Sequence, residues 1–344
     1  MKLIVTIDTE EDNWSRYSAT ENPVTNIERI VSLQRLFDEF GVMPTYLVTY
    51  PVATNLRSVE ILKRILDEGK CEIGMHCHPW NTPPLDENVV IRKQDTMLWN
   101  LPEDLVSQKL SVLHEAICKN FGVAPVSFRS GRWGLGPGVA RSLSKLGYRV
   151  DTSITPYVDW SSHYGPDFTR FGPEPFRFNA EGVSHEDVNG SILEIPTTVC
   201  FLQPNFKFCH RLTTALENPF GRLLRLKGFL ACIGLVSKVW LSPELANSES
   251  MIRLARRMEK NNYPCINMTF HSTSLLAGLS PFVKSREEEH VFIQNINEFL
   301  VTSRKSGWES LSLAQFESFY EVTASSRGLE VAGGLTEASL RQAR

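Results

Sequence analysis

The chain has no long hydrophobic run: nowhere do about 18 uncharged apolar residues follow one another, the length a membrane-spanning helix requires. It has no surplus of positive charge either. Its 36 Lys and Arg residues stand against 39 Asp and Glu, a net charge of -3, so no global basic field points to nucleic acid. Nor does it carry an even, clustered cysteine set. The seven cysteines, at positions 71, 77, 118, 200, 209, 232 and 265, are scattered and odd in number. That fits reduced thiols in a cytoplasm better than a disulfide frame. The opening Met1-Lys2-Leu3-Ile4-Val5-Thr6-Ile7 passes straight into acidic residues, without a long apolar core or a small-residue cleavage site, so no signal peptide is expected.

What is there is the composition of an ordinary globular protein, 42% hydrophobic and 22% charged. At 344 residues the chain suffices for two average domains or one α/β barrel. Its periodicity alternates between strand and helix. A strand over the first residues gives way to a helix with Ile27, Ile30, Val31, Phe37 and Phe40 at helical spacing, and Thr25-x-x-Glu28 reads as its capping box. A strand over 43–50, an amphipathic helix over 58–68 and a third strand before His76 follow. Such alternation builds parallel βαβ units, whose chemistry sits at the carboxyl ends of the strands. Further strands are expected at 125–129, 148–151, 191–195 and 265–270, with helices from Pro102, at 139–146, around Met251–Met258 and over 287–306.

The candidate chemistry falls at those strand ends. In Gly74-Met75-His76-Cys77-His78-Pro79-Trp80 two imidazoles stand two residues apart, and in an extended strand both face the same side. Pro79 keeps His78 out of the α region. A zinc-like ion is the partner that most often needs two neutral imidazoles together. The first strand ends in Asp8-Thr9-Glu10-Glu11-Asp12, where Asp8 and Glu10 share strand parity as a ligand pair or as ligand plus base, while Glu11 and Asp12 read as an exposed acidic loop. Arg129 closes one strand before a glycine-rich turn, Asp151 closes the next, and His271 follows the apolar strand at 265–270. His114, His163 and His185 read as ordinary helix or solvated histidines. Between about 157 and 190 periodicity is lost, an irregular insertion of the kind that forms functional loops. Residues 220–243 read as an apolar, basic helix that either covers the barrel or lies on a membrane surface. The tail over 323–344 reads as disordered, leaving a single domain over 1–322.

With these residues in hand, the chain resembles the polysaccharide deacetylase family, the NodB-homology group (carbohydrate esterase family 4). The likeness covers roughly residues 3–320 and rests on five ordered segments: Thr6-Ile7-Asp8-Thr9-Glu10, the segment from Gly74 to Trp80, Phe128-Arg129-Ser130-Gly131-Arg132-Trp133-Gly134, Asp151-Thr152-Ser153, and Phe270-His271. The His-x-His-Pro-Trp form is similar to a bacterial subgroup linked to cell-surface polysaccharide synthesis. Two departures leave the ligand set open. Asp8 is followed by Thr9 where the family has adjacent aspartates, and Trp80 stands where the family has its second histidine.

The resemblance implies a distorted seven-stranded (β/α) barrel and a metal-dependent hydrolase that removes an N-acetyl group from an amino sugar of a glycan or its precursor. His76, His78 and one or both of Asp8 and Glu10 would hold a divalent ion, with Zn²⁺ preferred for imidazole softness. Asp8 would be the base, His271 the acid, with Arg129 orienting Asp8 and Asp151 orienting His271. Trp80, Arg132 and Trp133 would contact the sugar. Two other readings stay open: a deformylase or ring amidohydrolase on the same fold, and a non-catalytic, membrane-associated glycan-assembly protein, cytoplasmic and peripheral to the inner membrane through 220–243.

Overall fold

The computed structural model describes residues 1–323 other than 15, 87–89, 184–186, 188 and 217–235. A curled, mostly parallel sheet organises them. Its strands are β1 (Lys2–Thr9), β2 (Thr45–Val48), β3 (Glu72–Cys77), β4 (Ser127–Ser130), β5 (Val150–Asp151), β6 (Phe176–Phe178) and β7 (Ile192–Glu194). A hairpin of β8 (Val199–Phe201) and β9 (Lys238–Trp240) follows, then β10 (Cys265–His271) and the short β11 (Glu309–Ser310). The spatial order β10-β1-β2-β3-β4-β5-β7 is parallel throughout, which gives the seven strands of an open, distorted barrel. Strand β6 adds antiparallel at one edge, and β11 pairs with β1. The barrel curls until its two edges nearly meet. There Thr198 N donates to Asn267 O at 3.2 Å, and Asn267 Nδ2 donates to Ile195 O at 3.4 Å.

The helices pack outside this sheet. They are α1 (Ile30–Phe40), α2 (Tyr50–Thr54), α3 (Leu56–Asp67), α4 (Glu103–Phe121), α5 (Pro137–Lys145), α6 (Phe206–Ala215), α7 (Ser248–Lys260) and α8 (Arg286–Lys305). Residues 313–323 form one more. Each of the long helices buries one apolar stripe against the strands, as Leu33 and Phe37 of α1 and Phe299 and Leu300 of α8 do. Glycine in the left-handed region ends α1 at Gly41 (φ 66°) and α4 at Gly122 (φ 74°). No described helix is long and apolar enough to cross a membrane.

Five expectations need correction or fall outside the described residues. The Thr25-x-x-Glu28 capping box does not form. The segment Thr25–Arg29 is a 3₁₀ turn, Thr25 N and Oγ1 donate to Asp12 Oδ2 at 2.8 and 2.6 Å, and Glu28 pairs with Arg57 instead. The stretch at 157–190 is not wholly irregular: it contributes β6 and buries Phe168, Phe176 and Phe178. Most of 220–243 lies outside the described residues, and its end at Lys238–Trp240 is a strand, because Val199–Phe201 offers an antiparallel partner. The tail from 324 also lies outside them, as does His185.

Tight strand spacing fixes Gly74 in the middle of β3, where a Cβ would stand 2.7 Å from Leu47 Cδ2 and 2.9 Å from the Ser127 carbonyl. Backbone cannot step aside as a side chain can. Gly74→Ala is therefore expected to destabilise the protein by about 1–3 kcal/mol, read as a lowered urea midpoint; an unchanged midpoint would show that β3 and β4 are free to separate.

Candidate active site

Parallel register brings the candidate residues to one rim. In the β1–β10 pair Asp8 stands opposite His271, and in the β3–β4 pair His76 stands opposite Arg129. The alternation of side chains along β3 then sends His76 and His78 to the same side, with their Nε2 atoms 3.0 Å apart. Glu10, just beyond β1, places Oε2 3.4 Å from His78 Nε2 and 4.0 Å from His76 Nε2. Residues 263 positions apart in the chain thus share a single buried mouth.

The hydrogen bonds behind the two imidazoles decide what they can bind. His76 Nδ1 meets the Arg129 carbonyl at 3.0 Å, so it must carry the proton and donate. His78 Nδ1 meets Glu11 Oε1 at 2.9 Å and donates likewise. In the neutral rings both Nε2 lone pairs then point at each other, with the Glu10 carboxylate beside them. A proton on His78 satisfies the pair and is drawn toward Glu10, whereas a cation would take both lone pairs and the carboxylate at once. Ligand atoms of Glu10, His76 and His78 all lie within 4.8 Å of one another. Two imidazoles and one carboxylate, each ring held by a second hydrogen bond, form a donor set that fits zinc or a similar divalent ion.

Burial and neighbouring charge set the protonation of these groups apart. Burial, helped by His78 and Arg129, lowers His76 to about 3 despite Asp8, so the ring stays neutral. Burial also works against the charged form of His78, but Glu11, Glu10 and Asp8 outweigh it and raise the pKa. Glu10 is pushed up to about 8 by burial and by the nearby Glu11 and Asp8 carboxylates, against the pull of His271 and His78.

Asp8 belongs to a different arrangement. Burial would raise it, yet Arg129, His76 and His271 hold it at about 2. Arg129 is wholly buried. Its Nη1 donates to Asp8 Oδ1 at 2.5 Å and to Thr269 Oγ1 at 2.8 Å, its Nη2 to Thr6 Oγ1 at 2.7 Å, and its Nε to the Thr152 carbonyl at 3.0 Å. The second oxygen of Asp8 lies between two imidazoles, 3.9 Å from His76 Nε2 and 3.7 Å from His271 Nε2.

His271 takes a partner the sequence did not suggest. Its Nδ1 faces Glu244 Oε2 at 3.0 Å, and its backbone N–H donates to Glu244 Oε1 at 3.0 Å. Burial pulls the imidazolium down, but Glu244, Glu10 and Asp8 hold it at about 10. Asp151 does not orient His271, contrary to expectation. Its carboxylate accepts from Ser153 N and Oγ at 3.1 and 2.8 Å and faces Glu194 of β7 across the sheet. The reason is local: Ser153, two residues on, and Glu194 on the neighbouring strand engage its carboxylate.

These groups open into a cleft of about 510 Å³ whose lining includes Trp80, Arg132 and Trp133. Trp80 stacks on His78 with ring centroids 4.1 Å apart, and its buried Nε1 has no acceptor among the described residues. Trp14, Trp160 and Trp240 add further apolar wall, and the exposed His163 also reaches this lining. Glu11, expected in an exposed loop, is 4% exposed; its proximity to His78 in space has no counterpart in local spacing. Asp12 is half-buried and caps the turn at Thr25. The signal available for both was the cost of four carboxylates in five residues, which some must relieve through partners.

No family model matches the sequence, and no curated protein is significantly similar to it. Among solved structures, a protein assigned as a polysaccharide deacetylase from Mycobacterium smegmatis superposes with a TM-score of 0.53 at 15% identity, covering 94% of this chain and 91% of that one. A protein assigned as a glycoside hydrolase/deacetylase from Parabacteroides distasonis gives 0.56 at 11% identity, over 93% of this chain and 71% of that one. A GH57 branching enzyme from Thermococcus kodakaraensis gives 0.50 at 11%, over 93% and 71%. The chain shares its fold with all three.

The Glu11–His78 hydrogen bond gives a test of the donor set that needs no substrate. Glu11→Gln removes the charge that orients His78, so affinity for Zn²⁺ is expected to fall roughly 10- to 100-fold in a chelator-buffered titration. Unaltered affinity would mean that His78 is not a ligand.

Proposed function

We propose that this chain is a metal-dependent hydrolase that removes an N-acetyl group from an amino sugar of a glycan or glycan precursor. On this reading it is a member of the polysaccharide deacetylase family, in the His-x-His-Pro-Trp subgroup, with one catalytic domain over 1–322. One observation carries the proposal: a Glu10/His76/His78 donor set, an Asp8–Arg129 pair and a His271–Glu244 pair converge on one aromatic cleft. An amide needs all three kinds of group.

Glu10, His76 and His78 would hold the ion, with Zn²⁺ preferred for the imidazole ligands. When bound, it supplies Lewis acidity to the amide carbonyl and to the attacking water. Asp8 stands between the donor set and His271, and takes up the proton that the water loses. A carboxylate held at about 2 is ionised at neutral pH, so it is free to take a proton but, as a weak base, holds it only briefly. Once His271 has given up its own proton, its Nε2, 3.7 Å from the free oxygen of Asp8, can take that proton over and restore both groups. His271 stays protonated at neutral pH and gives its Nε2 proton to the leaving nitrogen, which an amide requires because an amide anion leaves poorly. Arg129 fixes Asp8 and Glu244 fixes His271. Trp133 offers the sugar an apolar face.

Two experiments separate the roles. Asp8→Asn is expected to keep its metal and lose turnover by roughly 10²- to 10⁴-fold, whereas Glu10→Gln loses metal. Metal content and acetate release from N-acetylated glycans read both. If both variants keep full metal and activity, or if formate or ammonia appears in place of acetate, the proposal fails. The second experiment follows the pH profile of kcat/KM. The acid form of His271 is the active one, so activity is expected to fall as pH rises through about 10. Glu244 stabilises that acid form, so Glu244→Gln lowers the pKa and moves the alkaline limb to lower pH. A limb that stays in place rules out His271 as the acid.

A further inference from the structure

The charged groups lining the cleft nearly all answer one another. Asp8 faces Arg129, Glu10 and Glu11 face His78, and Glu244 faces His271. Arg132 is the exception. Among the described residues it is the one Arg or Lys on that lining, and it forms no ion pair with any of them. Its Nη1 donates only to neutral acceptors, the Thr96 hydroxyl and the Lys93 carbonyl at 3.3 Å. The guanidinium also lies over the Tyr17 ring at 5.7 Å. Tyr17 meets Trp80 at 5.0 Å, and Trp80 stacks on His78, so packed rings connect Arg132 to the donor set.

The backbone shows that this placement is imposed. Arg132 (φ 53°) and Trp133 (φ 63°) are consecutive non-glycine residues in the left-handed region, a conformation that costs free energy and persists only when surroundings enforce it. Enforcement comes from both flanks. A Cβ on Gly131 would lie 2.5 Å from the Cys77 carbonyl and 2.8 Å from His78 Cδ2, and one on Gly134 would lie 3.1 Å from Met97 Cβ. The loop is clamped against the strand that carries the imidazoles. Arginine is the side chain suited to a carboxylate or phosphate, through its planar fork of donors.

We infer that Arg132 forms an anion subsite, so that the substrate is an N-acetylated amino sugar bearing a carboxylate or phosphate rather than a neutral one. The inference rests on the deacetylase reading for the amide, but not for the anion. Calorimetric titration of the zinc-loaded protein tests it with three probes: neutral N-acetylglucosamine, an N-acetylhexosaminuronic acid and N-acetylglucosamine 1-phosphate. At least one anionic sugar is expected to bind roughly 10- to 100-fold more tightly than the neutral one, and Arg132→Gln to lose that preference. Arg132→Lys, which keeps charge without the fork, should recover part of it. The arm that shows the preference identifies the anion as carboxylate or phosphate. Equal binding of neutral and anionic sugars by the parent protein overturns the inference. So does a preference that survives in Arg132→Gln, which would place the anion on the metal instead. Should the glutamine variant fail to fold, Arg132→Gly removes the guanidinium and the strained φ together and reads the same outcome. Acetate release from the same sugars is scored separately, so tight anion binding without hydrolysis sinks the deacetylase reading alone.

Discussion

The fully buried Arg129 guanidinium is the constraint from which the rest of the site follows. Removing such a charge from water is costly, and the cost is offset only when every donor finds an acceptor in good geometry. Here Asp8, Thr6, Thr269 and Thr152 supply the acceptors, drawn from β1, from β10 and from the residue after β5. Arg129 therefore ties together strands on opposite sides of the barrel opening. Its own carbonyl accepts from His76 Nδ1, so the same residue sets the rotation of an imidazole and the ionisation of a carboxylate. A lysine could not do this, since one ammonium has neither the reach nor the five fixed donors.

Three histidines at one mouth end up with different tasks because each has a different second partner. A neutral backbone carbonyl behind His76 leaves burial in control, and the ring stays uncharged. The Glu11 and Glu244 carboxylates behind His78 and His271 reverse that balance. His76 at about 3 and His271 at about 10 differ in their surroundings, not their chemistry. Environments that push the pKa values of neighbouring groups apart are how one site holds a neutral donor and a proton-bearing acid side by side.

The sequence made the barrel legible because parallel strands and amphipathic helices leave strong periodic traces, and because strand ends tell where side chains gather. Asp8, Glu10, His76, His78, Arg129 and His271 were all readable on that basis. Glu244 was not. It follows β9, one position past the stretch over 220–243 that reads as an apolar, basic helix, and nothing near it in sequence points to His271, 27 positions on. Asp151 failed in the opposite sense. It has the right residue type at the right kind of strand end, but Ser153 and, on the neighbouring strand, Glu194 engage its carboxylate. Local pattern fixes which face a residue occupies, and strand order decides which partners share that face.

Fold alone leaves the chemistry undecided, since a branching enzyme and proteins assigned as deacetylases share this architecture. Charge pairing at the mouth adds what the fold omits. Asp8 is balanced by Arg129, Glu11 by His78 and Glu244 by His271. What remains is Glu10, raised to about 8, beside two converging nitrogen lone pairs. A carboxylate in that position holds either a proton or a cation, and a divalent ion serves the carboxylate and both nitrogens at once. Glycoside cleavage needs one protonated and one ionised carboxyl group, a charge pattern that Glu10 and Asp8 alone would satisfy, but it gives the two converging imidazole nitrogens no task. Those nitrogens, each fixed by a hydrogen bond on its far side, are what a divalent ion would use.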